Sequence, residues 1–207
     1  MTALPLRSSQ AFGRLWTEWM LATLAAGIGF LIISIPIDRL FVLLNYGPGG
    51  IVGPEYDPLI RAFLPVLALA LTGAVLGVAQ WLILRRYLPG IGWWVLATAV
   101  GYAIPFSGLV ENLLPNFGRV TGLLLFLVAG GVIGIGQWLV LRSKLRDAYW
   151  WAVLTPLAWA LAYGLTRLVL LLQVYVEPMD LFFAFLIPPA VQGLTLVYLL
   201  QRASRYA

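Results

Sequence analysis

The chain has 207 residues, 62% of them hydrophobic and 10% charged, with a net charge of +5 and a mean hydropathy of +0.94. A soluble domain carries about 25% charged residues, so this chain cannot cover a water-facing surface and reads first as a membrane protein. It holds neither cysteine nor histidine, which excludes disulfides, thiol chemistry and the commonest metal ligand, general base and haem ligand.

At the amino terminus, MTALPLRSSQAFGRLWTEW places basic residues before an apolar run of full span length, with Glu18 at its edge. No small-x-small cleavage motif stands out, so a retained first helix is expected rather than a removed signal. A hydrocarbon core of about 30 Å takes about 20 apolar residues in a helix. Six windows satisfy this, roughly 17–37, 62–84, 91–110, 119–141, 149–172 and 179–200. The breaks between them, among them NYGPGGIVGPEYDP, RRYLPG and RSKLRD, carry charge or turn formers.

Six spans divide the charges between two faces. Arg7, Arg14, Arg85, Arg86, Arg142, Lys144, Arg146, Arg202 and Arg205 stand against Glu18 and Asp147, nine minus two, a balance of +7. The opposite face sets Arg39, Arg61, Arg119 and Arg167 against Asp38, Glu55, Asp57, Glu111, Glu177 and Asp180, four minus six, a balance of −2. Lys and Arg stay on the cytoplasmic side during insertion. The pattern predicts a multi-pass protein of the plasma (inner) membrane with both termini cytoplasmic. The bilayer is its expected partner, and nucleic acid is not.

An internal repeat runs through these spans. GAVLGVAQWLILRR (73–86) aligns without gaps with GGVIGIGQWLVLRS (130–143), an offset of 57 that also carries Trp93, Trp94 and Thr98 onto Trp150, Trp151 and Thr155. EWMLAT (18–23) matches WWVLAT (93–98) at an offset of 75, and the last span, GLTLVYLLQR, places Tyr198 in the Trp position with Arg202 as its stop. The predicted fold is therefore all-α: a polytopic membrane protein of six transmembrane helices, arranged as three tandem helical hairpins in a pseudo-threefold bundle. It forms one transmembrane domain over 1–207, with repeat units of about 12–86, 87–142 and 143–202.

Helices in lipid join by close packing and hydrogen bonds rather than by a hydrophobic drive. Gly73, Gly77, Gly130 and Gly134, four residues apart in each copy, are the expected close-approach positions. Gln80 and Gln137 lie deeper than the basic stops and need partners, for which Thr98 and Thr155 are candidates. Trp81 and Trp138, one turn before Arg85 and Arg142, suit the headgroup level. At these residues the chain resembles a group of uncharacterised bacterial multi-span membrane proteins with repeated Gly-x-x-Gln-Trp-Leu-x-Leu-Arg helices. The resemblance covers residues 73–102 and 130–159 best. It implies a multi-span fold and carries over no functional residue.

Chemistry, if present, is expected at the outer end, where Asp38, Arg39, Glu111 and Arg167 follow the leading Trp of each outgoing helix by about 16–20 residues. Their convergence would make a polar site in the outer leaflet, with Arg167 at membrane depth; the alternative is that each snorkels to the interface. Glu55, Asp57, Glu177 and Asp180 lack calcium-loop spacing and read as loop solvation. No HExxH, Gly-x-Ser-x-Gly or paired intramembrane aspartate occurs, so neither an enzyme nor a cofactor is expected. The expectation is a non-catalytic helix-packing accessory or assembly subunit working with other membrane subunits. The alternative is a binding or transport module for a small solute or lipid.

Overall fold

The computed structural model describes residues 9–46, 58–104, 119–172 and 179–205; at 9, 31, 33–46, 58–65, 119–121 and 179–181 it describes the backbone alone. The described residues are all-α. The helices are α1 (Ser9–Tyr46), α2 (Pro58–Leu84), α3 (Trp93–Ala103), α4 (Arg119–Leu141), α5 (Tyr149–Leu171) and α6 (Met179–Ser204). Val66–Leu84, Gly122–Leu141, Tyr149–Leu171 and Phe182–Ser204 are long and apolar enough to cross a membrane, and Trp93–Ala103 is a shorter apolar helix.

The first helix is longer than its apolar window. It runs on through Asp38 and Arg39 to Tyr46, the last described residue before the sequence Gly47-Pro48-Gly49-Gly50. Charge ends a hydropathy window but need not end a helix, and this helix extends at least nine residues past its window. The fifth helix is shorter than its apolar sequence. Its 23 residues span about 35 Å, so Arg167 lies four residues from its end.

Each helix packs against its neighbour in sequence, and α6 packs back on α1, so the six close a ring. The closest approaches join helices linked by the short basic turns. A methyl group at Gly73 would stand 2.6 Å from the Thr98 carbonyl oxygen, and one at Gly130 would stand 2.5 Å from the Pro156 Cα. One turn on, Gly77 and Gly134 meet the Thr98 and Thr155 Cβ atoms at 3.1 and 3.0 Å by the same measure. Both glycine pairs thus let α2 lie on α3, and α4 on α5, at backbone distance.

The two turns that make these seams share a core of backbone bonds. The amides of Arg85, Tyr87 and Leu88 bond to Trp81, Leu84 and Leu84, and those of Arg142, Lys144 and Leu145 to Trp138, Leu141 and Leu141. The Trp94 and Trp151 amides then restart helices against Ile91 and Ala148, each at 2.9 Å. Leu88, Ile91, Leu145 and Ala148 point inward with Leu15, Leu84, Leu141, Leu196, Leu199 and Leu200, forming an apolar plug at the basic end.

Candidate functional site

Above the plug, three indoles fill the centre of the ring. Trp19, Trp94 and Trp151 come from α1, α3 and α5 and are fully buried. Every pair is edge-to-face, with centroids 6.2, 6.0 and 5.3 Å apart. The aromatic quadrupole favours this geometry, worth about 0.5–1.5 kcal/mol per pair beyond the area it buries. In each doublet the second residue turns inward: Trp94 is 0% exposed and Trp93 71%.

An indole N–H buried away from water needs an acceptor. Trp94 Nε1 donates to Gln80 Oε1 at 3.1 Å, and Trp151 Nε1 to Gln137 Oε1 at 2.9 Å. Trp19 Nε1 instead donates to the Pro189 carbonyl of α6 at 3.1 Å, beside a bond of 3.2 Å from Trp16 Nε1 to the Ala190 carbonyl. The glutamine amides reach the next helix. Gln137 Nε2 donates to Thr98 Oγ1 at 3.0 Å, and Gln192 Nε2 makes a longer contact of 3.5 Å with Thr155 Oγ1. Thr23 and Thr98 donate onward to the Trp19 and Trp94 carbonyls. Among the described residues no buried side-chain nitrogen or oxygen lacks a partner.

The polar layer encloses a cavity of about 10 Å³ lined by Gln80, Gln137, Gln192, Thr23 and Thr98, with Tyr102, Trp159 and Phe185 among its apolar walls. That is about the space one water molecule occupies. The site therefore comprises a plug, an indole layer and a closed amide–hydroxyl layer, stacked along one axis.

All six close-packing candidates, Gly73, Gly77, Gln80, Gly130, Gly134 and Gln137, are buried at the seams around this axis. The threonine expectation holds for Thr98, whereas Thr155 meets Gln192 instead. Thr98 bonds to Gln137 across the α3/α4 seam, while Gln80 receives the Trp94 indole. Sequence reasoning also missed Trp19, Trp94 and Trp151 as the hub, although the repeated Trp-to-Thr spacing of four already marked them.

The last helix takes a register different from the one its motif suggests. Gln192, rather than Val197 just before Tyr198, lies in the amide layer. Leu196, four residues on, is as deeply buried as Leu84 and Leu141, which follow Gln80 and Gln137 by four. The seam it makes with α1 keeps the usual sense at Gly193, which meets the Trp16 and Trp19 indoles, but inverts the sizes about two turns along. Gly73 faces Tyr102 and Gly130 faces Trp159, whereas Phe185 of α6 faces Gly27 of α1.

Of the outer candidates, Glu111 and the side chains of Asp38 and Arg39 lie outside the described residues. Arg167 is exposed and turns back along its own helix. Its Nε donates to the Tyr163 hydroxyl at 2.8 Å, with the guanidinium 5.1 Å from that ring.

The basic end is laced with charge. Glu18 accepts from Arg14 at 2.7 Å and from Arg86 at 3.1 Å, and Asp147 accepts from Arg202 at 2.8 Å. Arg85 and Arg142 lie over the Trp81 and Trp138 rings at 4.8 and 5.4 Å. The Glu18 hydrogen bond raises the Arg14 pKa, and burial, then the Glu18 charge, raise that of Tyr87.

Compared with protein-family models, curated proteins and solved structures, the chain matches none.

Proposed function

We propose that this chain is a non-catalytic membrane subunit whose six helices all cross the bilayer and whose role is to pack against other membrane-spanning proteins. The observation that carries this reading is the filled axis. A conduit needs a hydrated route, whereas here the plug and three interlocked indoles close the basic end, and the polar layer above them satisfies itself. The cavity beside that layer has room for a single water. Such a core suits a rigid module that presents its outer surface. Leu96, Val100, Val153, Leu157 and Leu161 supply exposed apolar faces on α3 and α5.

The same contacts support a pseudo-threefold arrangement of parallel repeats. They favour a unit made of a glycine-bearing helix, a basic turn and a tryptophan-bearing helix, realised as α2–α3 and α4–α5, with α6 and α1 as a third copy split between the chain ends. This cuts the chain half a unit away from the out-and-back hairpins that hydropathy suggests. The charge balance of +7 at the basic end supports a topology with that end, and both termini, at the cytoplasmic face of the plasma (inner) membrane. The resemblance at residues 73–102 and 130–159 agrees with a multi-span fold.

A photo-crosslinking side chain at Val153 or Leu157 tests the proposal in native membranes. The expected product is a covalent adduct with a second membrane polypeptide that also co-purifies in mild detergent. Adducts with lipid alone, together with solute flux through liposomes holding only the purified chain, would replace this reading with the transport alternative.

A further inference from the structure

The sixth helix is the irregular member of the ring at the basic end. Counted from the amide layer, α2 and α4 end four residues after Gln80 and Gln137, whereas α6 runs twelve residues past Gln192 to Ser204. The extra eight residues extend it by about 12 Å. They carry Tyr198, Gln201 and Arg202, and Arg205 follows at once.

This extension borders two neighbouring openings. The first is a groove of about 410 Å³ between α5 and α6, lined by Trp150, Leu154, Val191, Leu194, Thr195 and Tyr198. Its lining is almost wholly apolar, because Thr195 spends its hydroxyl on the Val191 carbonyl at 2.8 Å. The second is a polar pocket of about 280 Å³ lined by Tyr198, Gln201, Arg202 and Arg205. Tyr198 lines both, so the apolar slot and the cationic mouth adjoin at that side chain.

We propose that this groove binds one anionic phospholipid, with an acyl chain between α5 and α6 and the phosphate against Arg205 and Arg202. The inference rests on the reading above only in taking α5 and α6 to cross the bilayer with their basic ends at one surface. The chemistry is complementary at both ends. Arg202 is held in place by Asp147 at 2.8 Å and by the Tyr198 hydroxyl at 2.8 Å, which fixes a guanidinium at the mouth. Arg205 is exposed beside it, and the Gln201 side chain shares the pocket. A phosphate there meets charge-assisted donors, and basic residues near a membrane surface attract anionic headgroups. A free phosphate would use the mouth and leave the groove idle, whereas a lipid uses both. The turns after α2 and α4 differ, because Arg85 and Arg142 are stacked on Trp81 and Trp138.

The test is native mass spectrometry of the full chain released from nanodiscs containing equal phosphatidylglycerol and phosphatidylcholine. The wild type should retain one phosphatidylglycerol in preference to phosphatidylcholine. Arg205→Gln should lower that retention about fivefold, the effect of one basic residue at an anionic surface. Leu194→Trp, which fills the groove without touching the mouth, should lower it as well, and Arg85→Gln should leave it unchanged. Equal retention of the two lipids, retention indifferent to both groove variants, or displacement by inorganic phosphate would overturn the proposal. Thermal melting of each variant, with Arg205 at an exposed helix end, separates loss of lipid from loss of fold. The assay uses the isolated chain, so failure to find a protein partner leaves its outcome untouched.

Discussion

Two of the ring's seams and a third reach the same end by opposite means. Where α2 meets α3 and α4 meets α5, glycine on the first helix admits an aromatic side chain of the second, Tyr102 or Trp159. At the matching level where α6 meets α1, the aromatic Phe185 is on α6 and the glycine, Gly27, is on α1, although lower on that seam Gly193 of α6 still meets the Trp16 and Trp19 indoles. The indole bonds follow suit, with side-chain amides accepting from Trp94 and Trp151 and a backbone carbonyl accepting from Trp19. What the packing fixes is therefore the sum of two volumes and one satisfied N–H, rather than the residue at either position. Close-packed interiors respond to summed volume in this way.

The largest expected effect comes from breaking a seam where backbone meets backbone. Gly130→Ala pushes a methyl group to 2.5 Å from the Pro156 Cα, which cannot move aside without opening α4 from α5. A loss at the upper end of the about 1–3 kcal/mol typical of overpacking is expected, read as reduced thermal stability in detergent. Gly27→Ala meets only the edge of the Phe185 ring, at 2.8 Å, so it should cost less, and Phe185→Leu should relieve it. Equal penalties at the two glycines would refute the size inversion.

The amide layer should rank next, with the three glutamines graded by the bonds they make. Gln137→Leu removes contacts of 2.9 and 3.0 Å and should cost about 1–2 kcal/mol, while Gln80→Leu, which strands the Trp94 indole, should cost about 1 kcal/mol. Gln192→Leu loses only a contact of 3.5 Å and should cost a few tenths. A chemical-unfolding series that reversed this order would show that the third seam relies on its glutamine after all.

The basic end should matter least. Glu18→Gln loosens two ion pairs whose arginines are largely exposed, and about 0–1 kcal/mol is expected, fading with salt. Burial and the Glu18 charge make the Tyr87 hydroxyl harder to ionise in the folded chain than the ordinary phenol value of 10.0. Its contribution is therefore present below about pH 10 and is lost as pH rises through the higher folded value. Tyr87→Phe should flatten the alkaline fall in melting temperature, and a fall unchanged in the variant would count against it.

The sequence makes the α2–α3 and α4–α5 seams readable because both copies use glycine, glutamine and tryptophan at the same spacing. It hides the third seam for two physical reasons. The large and small partners have changed helices, so Phe185 and Gly27 align with nothing similar. The helix also overshoots, which leaves Tyr198 and Arg202 imitating the Trp81–Arg85 stop about one and a half turns further along. The Trp hub was present as WW and EW doublets, but hydropathy cannot tell which residue of a doublet faces inward. That follows from helix phase, which the Thr one turn later fixes. The outer candidates were legible only as charges interrupting apolar sequence. Arg167 shows why that signal is ambiguous, because its guanidinium bonds to a tyrosine one turn away on the same helix.

The central claim is that the amide layer is sealed from the basic side by the plug and the three indoles. The cysteine-free chain permits a direct measurement, in which Thr98→Cys or Thr23→Cys is exposed to a small charged thiol reagent from that side of a membrane vesicle. The account predicts that both thiols stay unmodified while Ser143→Cys, on the exposed turn, reacts fully. Modification of the two buried positions at the rate of the exposed control would mean an open path through the Trp layer.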